Sequence, residues 1–182
     1  FEIPEHYCAL LSKSSWYVLS LMQKLASSGA KFYILERTKL DLKTLIGEAI
    51  ELFKGNYTCT HPLLRRYKTW ESFIVKQDNK VIKQIHELFC RGYSSSDFEN
   101  SLSKAEASFT ENAYILGRVE DAKNMEFNEL VLLTDTLEIG AASREDNARI
   151  VNGIYTGISR AKNKLYVPGY LESWMKDHLK PK

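Results

Sequence analysis

Near the carboxyl end of the chain, YTGISRAK at 155–162 sets Arg160 among the small residues Gly157, Ser159 and Ala161. Small neighbours let a backbone approach closely, and a guanidinium is a planar fork of donors that matches phosphate oxygens two at a time. An arginine presented this way can stabilise the charge that spreads over the oxygens of a phosphoryl group in transfer. Taken alone, the same residues also describe a solvated basic helix end that complements the helix dipole. A second constellation lies upstream, where AKNMEFNELVLL at 122–133 puts the carboxylate of Glu126 just ahead of an apolar run. Its spacing from Arg160 is typical of one sheet crossover. A third, HPLLRRYKTW at 61–70, interleaves Arg65, Arg66 and Lys68 with Tyr67 and Trp70. Cations among aromatic rings suit a nucleic-acid backbone and a stacked base; a solvated basic turn beside two core aromatics is the alternative.

These groups need elements to position them. Residues 7–11 (YCALL) are an apolar run of strand length, followed by Ser12, Lys13, Ser14 and Ser15, which suit a helix cap. Trp16, Leu19, Met22 and Leu25 recur at helical spacing over 16–26, Gly29 is a C-cap residue, and 31–35 (KFYIL) is a second strand. A β-α-β unit of this kind implies a parallel sheet. The middle changes character: 41–53 and 80–89 carry helical periodicity without strand alternation, so 40–109 reads as a helical insertion, weakest in pattern over 94–108. Strand character returns at 113–119 (AYILGRV) and 130–133 (LVLL), a helix covers 144–159, and 164–167 (KLYV) closes the sheet. The alternation predicts an α/β fold, a RecA-like parallel sheet with flanking helices and a small helical insertion. Residues 1–39 and 110–182 form the lobe and 40–109 the insertion.

Composition narrows the function classes. The 182 residues suit one ordinary domain, and 44% hydrophobic with 26% charged residues is the balance of a folded globular protein. A formal charge of +2 places any nucleic-acid binding on a local basic surface rather than on bulk charge. Cys8, Cys59 and Cys90 form no CxxC pair, which points away from a disulfide framework or zinc site and towards a reducing, intracellular compartment. The histidines His6, His61, His86 and His178 show no ligand spacing and read as surface or structural residues, so the chain itself is expected to hold no metal. No secretory leader or membrane-length apolar run is visible, and a chain opening on Phe1 is expected to be a piece of something longer.

The pairing of the Glu126 and Arg160 segments resembles the UvrD-like superfamily-one helicases. The second motor lobe of that family carries an AKGLEF segment before one strand and a YVAxTRAK segment before the last. YCALLSKSS, followed by a helix and GAKFYIL, is similar to the LCRTN strand-loop-helix that opens the same lobe. HPLLRRYKTWESF and LVLLTD are similar to the F-box DNA helicase branch. The resemblance implies that Arg160 is an arginine finger for the γ-phosphate and that Glu126 holds the nucleotide ribose, a task that a hydrogen-bond-accepting carboxylate fits. It puts Tyr155 on the motif's aromatic position, where core packing is the alternative, and Lys13 where the family has an arginine near the nucleotide. The sequence departs from the family at Arg118, where a threonine contacting DNA is usual, at Glu120 for a histidine, and at Asn124 for a glycine whose backbone freedom is needed. The resemblance also requires 7–11 and 164–167 to share one parallel sheet.

One motif is missing. A phosphate loop, G-x-x-x-x-G-K-[ST], cradles the β- and γ-phosphates, and no G-K-[ST] occurs in these residues. The resemblance places that loop in a first lobe, so ATP and Mg2+ would be used only with such a lobe present, in the same longer chain or in a partner. The implied function is the carboxyl-terminal lobe of an ATP-dependent 3′-to-5′ DNA helicase acting on single-stranded DNA, with Arg118, Arg65, Arg66, Lys68 and Trp70 as candidate strand contacts. The alternative is a degenerate, non-catalytic helicase-like scaffold.

Overall fold

Ala9–Ser12 is buried at all four positions, as a strand covered on both faces must be, and forms β1 at the centre of the sheet. The structure, a computed structural model, describes residues 3–56, 58–77, 79–133, 135, 144–167 and 169. His178 and the expected lobe residues 170–182 lie outside them. After β1 the chain turns at Ser14, whose hydroxyl accepts from Trp16 N and caps α1, Ser15–Ser28. Gly29 ends that helix at φ 72°, a left-handed conformation glycine adopts without penalty, and its N–H bonds Leu25 O. The apolar residues Trp16, Leu19, Met22 and Leu25 are all buried.

Beyond β2, Phe32–Ile34, the helix α2 spans Glu36–Phe53 and so starts five residues before the periodicity at 41–53 suggests. The joint is tight: Leu35 N still bonds Leu116 O of the sheet while Leu35 O already accepts from Lys39 N. No hydroxyl or carboxamide cap marks that start, so nothing local announces it. Three further helices follow, α3 at Trp70–Lys76, α4 at Lys80–Cys90 and α5 at Ser95–Leu102. Side chains of Thr69, Asn79 and Ser94 cap their starts, which gives 94–108 a helix the apolar pattern barely signals.

The chain then supplies β3 (Tyr114–Arg118), a short 3-10 helix (Val119–Ala122), β4 (Phe127–Leu132), α6 (Arg144–Ile158) and β5 (Ala161–Tyr166). The five strands are parallel in the order β2-β3-β1-β4-β5, so the runs at 7–11 and 164–167 do share one sheet. Alternate residues of each strand face opposite ways. Leu10, Ile34, Leu116 and Val131 join α1 through α5 in one core, in which Trp16 meets Trp70 edge to face at 6.3 Å. Leu11, Ile115, Leu130 and Leu132 join Val119, Ala122 and Ile158 on the other side. The helices between β2 and β3 therefore build on α1 and the sheet, within one continuous core.

Because β1 leads into a helix on the first face while its neighbours β3 and β4 lead into elements on the second, the connections diverge at the carboxyl ends of these strands. Divergence of this kind opens a crevice, the usual ligand position in open α/β sheets. Among the described residues no helix is long and apolar enough to cross a membrane.

Candidate functional site

Arg160 occupies the turn between α6 and β5, and its backbone carbonyl accepts from Phe127 N at 2.8 Å, tying it to the amino end of β4. Among the described residues its guanidinium lies on neutral acceptors: Nε on Thr156 O at 3.1 Å, Nη1 on Met125 O at 3.3 Å and Nη2 on Ser159 Oγ at 3.0 Å. A cation held by neutral oxygens at a half-exposed edge keeps its charge available to an anion. Glu126 follows Met125 directly, is exposed, and pairs with Lys162 Nζ at 3.2 Å. The structure therefore brings Arg160 and Glu126 to one edge of the sheet.

Two local features make this edge. Asn124 sits at φ 64°, the left-handed region where glycine is at ease and asparagine is among the residues that tolerate it best, so the turn forms here without a glycine. Gly157 lets α6 rest on the sheet, since a Cβ there would stand 2.6 Å from Leu132 Cδ2. Leu132 is fully buried, so its side chain would have to repack within the core to make room. Gly157→Ala is expected to lower stability by about 1–2 kcal/mol, overpacking outweighing the gain in helix propensity; the urea midpoint measures it. Tyr155 is 74% exposed on α6, which removes core packing as the explanation of that residue.

Lys13 is elsewhere. It lies in the turn after β1, at the carboxyl end of a sheet whose strands all run the same way, whereas Glu126 and Arg160 lie at the amino ends of β4 and β5. Lys13 and the Arg160–Glu126 pair therefore stand at opposite ends of the sheet, and Lys13 and Glu126 line different clefts, against the expectation that they meet. Lys13 instead lines a cleft of about 460 Å3 with His61, Arg118, Glu120 and Asp135 at the crevice beside β1. There Lys13 N, Ser14 N and Ser12 Oγ donate to the Asp135 carboxylate at 3.3, 2.7 and 2.7 Å. Backbone donors that could cradle a phosphate are taken by a carboxylate.

Arg118 requires a second correction. Its Nε and Nη2 grip Asp121 at 2.7 and 3.1 Å, and Nη1 reaches Asp41 at 3.1 Å and Glu120 at 2.9 Å. With every nitrogen engaged by carboxylates and 18% of the side chain exposed, this cation is internal and presents no fork to a DNA phosphate. Burial pulls its pKa down, but the hydrogen bond and charge of Asp121, then Asp41 and Glu120, more than reverse that and leave it raised. Burial likewise pushes the Asp41 carboxyl up; hydrogen bonds from His61 and Ser15 and the charge of Arg118 outweigh it and hold Asp41 below the ordinary range. His61 accepts from Leu63 N through Nδ1, which leaves the proton on Nε2, facing Asp41 Oδ1 at 3.2 Å.

Trp70 is the third correction. It is fully buried, donates from Nε1 to His86 Nδ1 at 3.0 Å and packs against Phe73 and Phe89, so no base can stack on it. The adjacent Arg65, Arg66 and Lys68 are exposed on the turn between α2 and α3. Sequence reasoning missed Asp41, Asp121 and Asp135: Asp41 and Asp135 meet their partners only across several elements, whereas Asp121 stands at i+3 from Arg118 and pairs with it locally. Among the described residues no group of three or more His, Cys, Asp or Glu is arranged for a metal ion. No family model and no curated relative matches the sequence.

Proposed function

We propose that the chain is the second RecA-like lobe of an ATP-dependent, 3′-to-5′ translocating DNA helicase of the UvrD-like kind. The observation that carries this reading is the meeting of Arg160 and Glu126 on one edge, Arg160 Nη1 resting on the carbonyl of the residue before Glu126. They are the arginine and the carboxylate that the resemblance assigns to the γ-phosphate and the ribose. Arg160 exchanges its carbonyl partners for phosphate oxygens across an interface with a first lobe, and Glu126 leaves Lys162 to accept from a ribose hydroxyl. The donor chemistry fits a nucleotide. It does not fit Mg2+, for which the described residues present no ligand set, so we assign the metal to the triphosphate and the first lobe. Single-stranded DNA is met through the exposed Arg65, Arg66 and Lys68, and an intracellular setting accords with free thiols at Cys8, Cys59 and Cys90.

A second reading, a helicase-like scaffold without a motor, draws on one observation: Arg118, at the position where the family touches DNA, is committed to Asp41, Glu120 and Asp121. One measurement separates the two. ATP hydrolysis is expected to be absent for this chain alone, to appear when the lobe carrying the phosphate loop is present, and to rise with single-stranded DNA. A complete assembly that folds, binds nucleotide and hydrolyses none of it with or without DNA establishes the scaffold instead.

A further inference from the structure

The residues that lead into β1 form a short strap fixed at both ends. At one end the Tyr114 hydroxyl donates to Pro4 O at 2.5 Å, and at the other Cys8 O accepts from Ile115 N at 3.1 Å, where pairing with β3 begins. Glu5, His6 and Tyr7, between these anchors, are exposed, and among the described residues their polar tie to the sheet is His6. Its Nε2 stands 2.6 Å from Glu129 Oε2 on β4, so it carries the proton and donates to that carboxylate. The Tyr166 hydroxyl of β5 donates to the same oxygen at 3.1 Å and lies 3.2 Å from His6 Nε2. One imidazole thus pins the strap to two strands. Tyr7 and Glu129, with Glu126 and Lys162, line a cleft of about 320 Å3 at the amino ends of β1, β3 and β4, so the pin also fixes a wall of that cleft.

The groups around His6 decide when the pin holds. From β4 comes Glu129, whose side chain is 33% exposed against 49% for His6. From β5 come Tyr166, its ring 5.9 Å from the imidazole, and Lys164, whose ammonium lies 4.6 Å over the Tyr166 ring. The strap adds Glu5 and Tyr7, β3 adds Tyr114, and Cys8 lies beneath. Burial, and then the charge of Glu129, pushes the Cys8 thiol up to about 12, and burial raises Tyr114 as well, so neither supplies a charge near neutral pH. Burial also pushes the Glu129 carboxyl up, but hydrogen bonds from Tyr166 and His6 and the charges of His6 and Lys164 outweigh it and hold it below the ordinary range. Its contribution is therefore present above the ordinary glutamate value of about 4.3 and is lost only as pH falls through the lower, folded value. Imidazoles change charge between about pH 5 and 8. Below that change the contact is an ion pair; above it a neutral hydrogen bond remains, with roughly half the strength. We infer that His6 is a pH-sensitive latch: protonated, it locks the strap onto β4 and β5, and deprotonated, it loosens Glu5 to Tyr7 and the cleft wall that Tyr7 forms. The latch goes beyond the proposed function and holds whether or not the chain is a motor lobe.

Proteolysis reads the open strap directly, because a protease cuts a segment in proportion to the population that has come away from the fold. The 182-residue chain and its His6→Gln and Glu129→Gln variants are digested with chymotrypsin at pH 5.5 and at pH 8.0, and cleavage after Tyr7 is followed by mass. Comparing each variant with the parent in the same buffer cancels the pH dependence of the protease. Glutamine keeps hydrogen-bonding capacity and removes the charge, so both variants are expected to be cut about two- to fivefold faster than the parent at pH 5.5, the range for a partly exposed ion pair. At pH 8.0 the three rates should converge. A variant-to-parent ratio that is the same at both pH values, or a Glu129→Gln chain cut at the parent's rate at pH 5.5, overturns the latch.

Discussion

Arg160→Ala in the complete two-lobe assembly is expected to lower kcat for ATP by roughly 10³-fold or more, with nucleotide affinity changed only a few fold. The split follows from where the charge acts. An arginine that meets the γ-phosphate mainly as charge develops stabilises the transition state beyond the ground state, which appears in kcat rather than in binding. The structure adds that the side chain contributes little to the fold, since its partners among the described residues are Thr156 O, Met125 O and Ser159 Oγ at a half-exposed edge, none of them a carboxylate. The variant should therefore unfold near the same urea concentration as the parent, which separates a lost contact from a lost structure. Arg160→Lys keeps the charge and loses the fork, and is expected to recover only a small part of the rate. Steady-state ATP turnover in saturating single-stranded DNA provides the measurement, and turnover equal to the parent's would remove Arg160 from the site.

Arg118→Met is expected to cost about 3–5 kcal/mol of stability, the range for stripping one partner from a buried ionic cluster. Asp121 is only 6% exposed and Asp41 only 19%, so without the guanidinium two carboxylates are left in a low-dielectric site with too few donors. Urea denaturation gives the loss directly, and single-stranded DNA affinity under folding conditions should stay within about twofold, because this side chain faces inward. A loss of DNA affinity with unchanged stability would restore Arg118 to the strand. The cluster also has a pH signature. With its pKa lowered in the folded state, Asp41 contributes stability that is present above the ordinary carboxylate value of about 3.9 and disappears as pH falls through the folded value. Removing Arg118 lets the Asp41 pKa rise, so acid unfolding of the variant should begin at higher pH than that of the parent.

Much of the scaffold was readable along the chain. The apolar run at 7–11, the hydroxyl residues after it, the spacing of Trp16, Leu19, Met22 and Leu25, and Gly29 describe one strand-helix-strand unit. Each is a local event, an apolar period or a cap, and each lies close to its expected position in β1, α1 and β2. The segments that carry Glu126 and Arg160 were visible for the same reason, since each is a short motif leading into a strand. The early start of α2 and the helix at Ser95–Leu102 were not visible, because one begins without a side-chain cap and the other buries only Phe98 and Leu102.

Parallel strands give a sheet two chemically different ends, and only the tertiary structure decided which residue stands at which. Lys13 and Glu126 both border strands in the sequence, yet the order β2-β3-β1-β4-β5 puts one at carboxyl ends and the other at amino ends. Arg118 and Trp70 had the composition of strand contacts, but one is claimed by acids from α2 and the 3-10 helix and the other by α1 and α4. Periodicity and capping arise among residues a few positions apart and are written in the chain itself. Whether a charge or a ring is satisfied internally depends largely on partners brought from distant segments, as Asp41 is to Arg118 and His86 to Trp70, and the local pattern carries only the nearby part, such as Asp121.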